Sequence, residues 1–155
     1  MRRRQFDLAG QHFDRAASLN PNDVYLAIDR ANWLMYVGRL DDALAYLDSA
    51  QQRDPFAPTY IWEVRGQTLY FLKRHEDAIA AFRNMSAAEH YWTPMFLAAA
   101  LAQSGQLPGA QRELVRFLDA KPSASLSSVS QLLGYATKSL SDHLLDGLRK
   151  AGLPE

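Results

Sequence analysis

The sequence predicts an all-α fold, a right-handed superhelical solenoid of antiparallel helix pairs with a C-terminal helical cap. Three observations carry this. Ala9, Ala43, Ala78 and Ala110 recur at one phase of similar helical segments, 34, 35 and 32 residues apart. Pro21, Pro55 and Pro122 each follow one of these alanines by twelve residues, and His90 holds that place in the remaining unit. Ala31, Gly66 and Ala98 recur at one phase of a second set of segments. A unit of this length is too small to bury its own apolar face and must stack on its neighbours.

Residues 5–19 carry Phe6, Ala9, Phe13, Ala16 and Leu19 at helical spacing and close at Asn20-Pro21. This is half a hairpin, covering residues 1–23. Its partner is expected upstream of Met1 in a longer parent chain, unless the segment is an unusual cap. The next unit, about 24–57, pairs a helix from Val24 to Val37, stopped at Gly38, with one from Leu40 to Arg53, stopped before Pro55. The unit 58–90 is expected to run from Thr59 to Leu72 and from His75 to Ala87. The unit 91–122 runs from Trp92 to Ser104 and from Leu107 to Ala120. Gly105 lies in its turn, and Pro108 in the first turn of its second helix, where a missing N–H costs little. The small residues let helices approach closely, while Leu47, Phe82 and Leu114 fill the space between adjacent pairs.

Residues 123–155 break the repeat and are expected to form capping helices. The serine-rich run from Lys121 to Ser130 precedes Leu132, Leu133 and Tyr135, which close a short helix. A final helix from Leu140 to Lys150 puts Leu140, Leu144, Leu145 and Leu148 on one side. Ser139 and Asp142 have capping-box spacing, and Gly152 with Pro154 supplies a stop. The leucine side would cover the apolar edge of the last repeat, either permanently or as an autoinhibitory ligand that a partner displaces.

This pattern resembles the tetratricopeptide repeat, with its W-x2-L-G-x2-Y, A-x3-F and terminal proline. Trp62, Gly66, Leu69, Ala78 and Phe82 match in one unit. Ala27, Ala31, Leu34, Ala43, Leu47, Ala50 and Pro55 match in the unit before it. Ala98, Leu101, Ala110, Leu114 and Pro122 match in the unit after it. The resemblance spans residues 1–122 and implies a protein-interaction solenoid. The ending GLRKAGLPE, residues 147–155, is similar to the end of bacterial signalling proteins in which such repeats follow a class III adenylate/guanylate cyclase domain or a winged-helix domain. That similarity implies a signalling parent and transfers no activity, because the cyclase metal-binding carboxylates and nucleotide-binding residues have no counterpart here.

The remaining chemistry is sparse. Seventeen basic and seventeen acidic residues cancel, so neither a nucleic-acid nor a membrane partner is expected. The absence of cysteine removes disulfides and thiolate ligands and fits a reducing, cytoplasmic setting. His12, His75, His90 and His143 lie on separate segments without metal-ligand spacing, so no metal or cofactor is expected. Asp41-Asp42 and Glu76-Asp77 begin helices, where carboxylates complement the dipole. No G-x-S-x-G elbow or phosphate loop is present. Arg2-Arg3-Arg4 and Lys73-Arg74 read as solvated helix ends. The chain is thus expected not to be an enzyme.

The candidate site is the concave surface lined by the first helix of each pair. Its stripe comprises Tyr25, Ile28, Asn32 and Tyr36, then Tyr60, Glu63, Gln67 and Phe71, then Trp92, Met95 and Phe96. Aromatic, methionine and amide side chains suit a peptide, a helix or another domain of the parent chain. The chaperone-binding members of the resembled family clamp a carboxylate with basic residues, and the inward phases here hold Ile28, Asn32, Glu63, Gln67 and Met95 instead. The alternative is a homodimer paired through Phe6 and Phe13 of the half repeat.

Overall fold

The computed structural model describes residues 2–85 and 90–155, with side chains from residue 5 onward. The basic cluster Arg2-Arg3-Arg4 and the expected helix end at Ala87 lie outside the described side chains and residues. Among the described residues the chain is wholly helical: α1 Arg2–Leu19, α2 Val24–Tyr36, α3 Leu40–Arg53, α4 Tyr60–Phe71, α5 His75–Arg83, α6 Trp92–Gln103, α7 Leu107–Ala120, α8 Leu126–Leu132 and α9 Lys138–Ala151. The pairs α2/α3, α4/α5 and α6/α7 stack in order, giving an all-α solenoid of tetratricopeptide type. Helix α5 stops at Arg83 with Asn84 as its C-cap, short of the expected Ala87.

One turn geometry is used three times. Gly38, Lys73 and Gly105 adopt left-handed backbone at φ of 85°, 61° and 77° after α2, α4 and α6. At each turn that residue's N–H donates three residues back, to Met35, Tyr70 and Ala102, and the next N–H donates five back, to Leu34, Leu69 and Leu101. These paired bonds satisfy the last carbonyls of the first helix and reverse the chain within two residues. Arg39 and Arg74 follow, and each reaches forward to Asp42 or Asp77 at 2.7 and 2.8 Å. Lysine at position 73 accepts the positive φ that glycine supplies in the other two turns.

Close approach holds the pairs together. Ala31, Ala43, Ala78, Ala98 and Ala110 are fully buried, and Leu47, Phe82 and Leu114 fill the space beside them. Within the α4/α5 pair the approach is tight at Gly66, where a Cβ would sit 2.6 Å from the ring of Phe82. Among the described residues helix α1 packs on α2 alone: Phe13 meets Trp33 at 6.0 Å, and the indole donates to the Phe6 carbonyl at 3.1 Å.

The tail departs from its expected form in two places. Ser125 and Ser128 make the capping box, so α8 begins inside the serine-rich run, whereas Ser139 lies within α9 behind Thr137 and caps nothing. Helix α8 ends at Leu132, and Leu133 turns extended just before Gly134, a residue of low helix propensity. Tyr135 is therefore in a strap, not a helix.

After the strap, α9 runs back over α6 and touches α4 and α7. Leu144 and Leu148 are fully buried, burial worth about 1.5–3 kcal/mol per leucine, which an isolated helix of this length needs in order to persist. Gly147 lies against Ala99 and the Tyr70 hydroxyl. Gly152 ends the helix at φ 104°, and the Leu126 N–H bonds the Pro154 carbonyl at 2.7 Å.

A histidine pair pins α9 to the repeats. His75 Nε2 and His143 Nε2 are 3.2 Å apart with rings 5.3 Å between centroids, and the Tyr70 hydroxyl donates to the His143 carbonyl at 2.9 Å. Burial and the lysines Lys150 and Lys73 push His75 down, against Glu76. Burial, His75 and Lys73 push His143 down, against the Tyr70 contact and Asp146. One neutral ring donates to the other, and a doubly protonated pair loses the bond and repels.

Replacing Gly66 by leucine is expected to destabilise by about 1–3 kcal/mol through overpacking against Phe82. Lys73→Gly is expected to stabilise by about 0.5–1 kcal/mol by relieving the positive φ. Denaturant melts of both variants check the assignment, and opposite signs are the expected result. For pH, both folded histidines lie below the unfolded value of 6.5, so the unfolded chain binds more protons as pH falls through that value. The pair's contribution is fully present above it and is lost below. Stability curves from pH 8 to 5 should fall less steeply in His143→Gln than in the parent, and an unchanged slope would remove the pair from the account.

Candidate functional site

The concave face is built by α2, α4 and α6. Helix α4 has nine of its twelve residues buried and α6 ten of twelve, so a polar side chain on them either finds a partner in the core, as Thr68 does at the Val64 carbonyl 2.7 Å away, or faces the groove. On α4 the groove is faced by Glu63 and Gln67, one turn apart, with Gln67 Nε2 donating to Glu63 Oε1 at 3.3 Å. Across the gap, Asn32 Nδ2 donates to the Tyr60 hydroxyl at 3.0 Å and ties α2 to α4.

These groups open onto one cavity of about 330 Å³, near the lower end of the roughly 300–1,000 Å³ of ligand pockets. Seven of the eleven expected residues line it: Asn32, Tyr36, Tyr60, Glu63, Gln67, Trp92 and Phe96. Ile28 and Met95 are instead fully buried in the core, and Tyr25 stands 66% exposed in the first turn of α2. Phe71 is buried next to the cavity, edge-on to Phe96 at 5.7 Å. Helical phase alone could not separate these cases, because helices sandwiched between neighbours are buried around most of their circumference.

The phenols are held neutral. Burial first, then Asp29 and Glu63, push Tyr60 up to about 12, although the Asn32 bond opposes this. Burial and then Glu63 push Tyr36 up as well. The cavity therefore presents phenolic O–H groups and the Glu63 carboxylate within aromatic walls.

The other wall comes from the tail and has no counterpart among the expected site residues. Leu132, Leu133, Gly134 and Tyr135 line the same cavity. Tyr135 stacks on Tyr36 at 4.8 Å with rings 26° apart, meets Phe71 edge-on at 4.8 Å, and the Ala136 N–H donates to the Tyr36 carbonyl at 2.9 Å. Gly134 gives no signal either, since a Cβ there would make only an ordinary contact, 3.9 Å from the Tyr36 ring. A larger cavity of about 420 Å³ lies between α5, α6 and α7, away from the concave stripe, and its rim includes Arg83, Arg112 and Arg116.

Phe6 and Phe13, assigned by the dimer alternative to a two-fold contact, are both half-buried, and Phe13 is packed against Trp33 of its own chain. Among the described residues no three histidine, aspartate or glutamate side chains converge where a metal ion could sit. No described helix is long and apolar enough to cross a membrane.

No family model matches the sequence, and no curated protein shows significant similarity to it. Among solved structures, the crystal structure of MamA superposes with a TM-score of 0.65 at 19% sequence identity, over 94% of this chain and 86% of that one. The likeness is one of fold.

Proposed function

We propose that the chain is a noncatalytic protein-interaction domain of a larger bacterial signalling protein, and that its concave groove binds an extended peptide of a partner or of a neighbouring domain. The observation that carries this is the strap. Leu133 to Ala136 already lies along the groove as non-helical chain, extended at Leu133 and bent at Ala136, with one side chain in an aromatic slot and one backbone hydrogen bond to α2. A surface that holds its own non-helical segment in this way has the geometry to hold another beside it, and the 330 Å³ cavity is the space next to it. Polar groups on α2 and α4 converge there, which gives orientation as well as apolar contact.

Panning a displayed peptide library against the full chain tests the reading. Selected peptides are expected to bind in competition with one another and to weaken about tenfold in Tyr60→Ala, which loses both a wall and the Asn32 bond. Binding indifferent to Tyr60 and Trp92 would take the site out of this groove.

A further inference from the structure

We infer that the chain carries a second binding surface, away from the concave groove, that takes an acidic peptide segment of a partner and seats an apolar side chain beside a glutamate or aspartate. The place is the cavity of about 420 Å³ between α5, α6 and α7, within the roughly 300–1,000 Å³ of ligand pockets. Its floor is apolar, with Phe82, Pro94, Leu97 and Leu101 all buried. Its rim is basic. Arg83 comes from the end of α5, and Arg112 and Arg116, one turn apart, from α7, against the single carboxylate of Glu113. Seventeen basic and seventeen acidic residues cancel over the whole chain, so three against one is a local excess.

Glu113 does not neutralise this rim. It accepts from Arg116 Nη1 at 2.9 and 3.2 Å, which commits those two groups to each other. Glu76 is tied to the cavity's edge through Gln106, whose Nε2 donates to it at 3.2 Å, but does not line the wall. Among the described residues, neither the Arg83 nor the Arg112 guanidinium has a hydrogen-bond or ion-pair partner, and both side chains are exposed. Arg112 folds back over Gly109: its Nη2 lies 3.7 Å from where a Gly109 Cβ would be, and a Leu101 methyl lies 3.5 Å from the same point. The missing side chain thus leaves a guanidinium at the lip of the apolar hollow.

A guanidinium fork matches a carboxylate through two parallel bonds, and the hollow beside it takes an apolar side chain, so acid and apolar residue are selected together. Exposed ion pairs add little affinity by themselves. The hollow therefore supplies the binding energy, and the arginines supply the choice of partner and the speed of encounter. A bare phosphate would use the forks and leave the hollow empty, which is why a peptide fits better. None of these residues lines the concave groove, so the two surfaces can be tested apart.

The test measures binding of the full chain to two pools of labelled short peptides. One pool randomises leucine, phenylalanine, glutamate and aspartate, and the other has glutamine and asparagine in place of the acids. The acidic pool should bind about tenfold tighter, with the difference shrinking as salt is added. Arg83→Gln combined with Arg112→Gln should bring the two pools to parity. Gly109→Leu fills the hollow, meets only ordinary contacts at its Cβ and raises helix propensity, so it should weaken the acidic pool severalfold without unfolding the chain. Tyr60→Ala should leave the acidic pool's binding unchanged. Equal binding of the two pools, an acidic preference that survives the double arginine change, or indifference to Gly109→Leu overturns the inference. Loss of acidic binding in Tyr60→Ala would move the acid to the concave groove and overturn it too. Inorganic phosphate that competes as well as the peptides would reduce the surface to an anion site and sink the peptide.

Discussion

Close helix approach at the small-residue seam is the constraint on which the rest of this structure depends. With Ala31, Gly66 and Ala98 on the first helices and Ala43, Ala78 and Ala110 on the second, backbones come near enough for Phe82 to cover the bare Cα of Gly66. At that spacing α4 and α6 are buried nearly all round, so a polar side chain on either must face the groove or find a partner. Glu63, Gln67, Asn32 and the Tyr60 hydroxyl occupy that narrow remaining arc. The seam thus fixes both the core and the site.

The tail depends on the same economy of space. Gly147 lets α9 settle against Ala99 and Tyr70, and from there His143 reaches His75 while Asp146 accepts from Gln103 at 2.9 Å. Because α9 is anchored at this end and α8 is tied to Pro154, the chain between them must cross the mouth of the groove. The strap's path follows from its two anchors, and Tyr135 fills the slot between Tyr36 and Phe71 that the path passes over.

Much of the fold was legible because a repeat multiplies weak signals. No single unit carries the full pattern, yet the recurring alanines, the turn residues Gly38 and Gly105, and the prolines agree with one another. Lys73 breaks the glycine series, and its turn still forms, because the paired backbone bonds and the Arg74–Asp77 contact hold the positive φ in place. The site was legible in part for a different reason. Asn32, Tyr36, Tyr60, Glu63 and Gln67 are polar or amphipathic, and such side chains on a crowded helix have few places to go. Ile28 and Met95 share their phase but lack polar atoms, so core burial suited them better. The strap was not legible, because its position is set by contacts some hundred residues away in sequence, between Tyr135 and Tyr36, and no local period records them.

Tyr36 belongs to both systems. One face of its ring supports Tyr135, its carbonyl accepts from Ala136, and it also lines the cavity beside Glu63. A ligand that fits the cavity as it stands, leaving Tyr36 in place, has the same contacts whether or not the strap can loosen, and so does not bias it. A ligand that needs the Tyr36 ring to turn binds the strapped and unstrapped forms with different free energies, and the strap must then affect that ligand by the same factor in return. The geometry therefore makes coupling between tail and groove a property of the ligand's bulk at one ring.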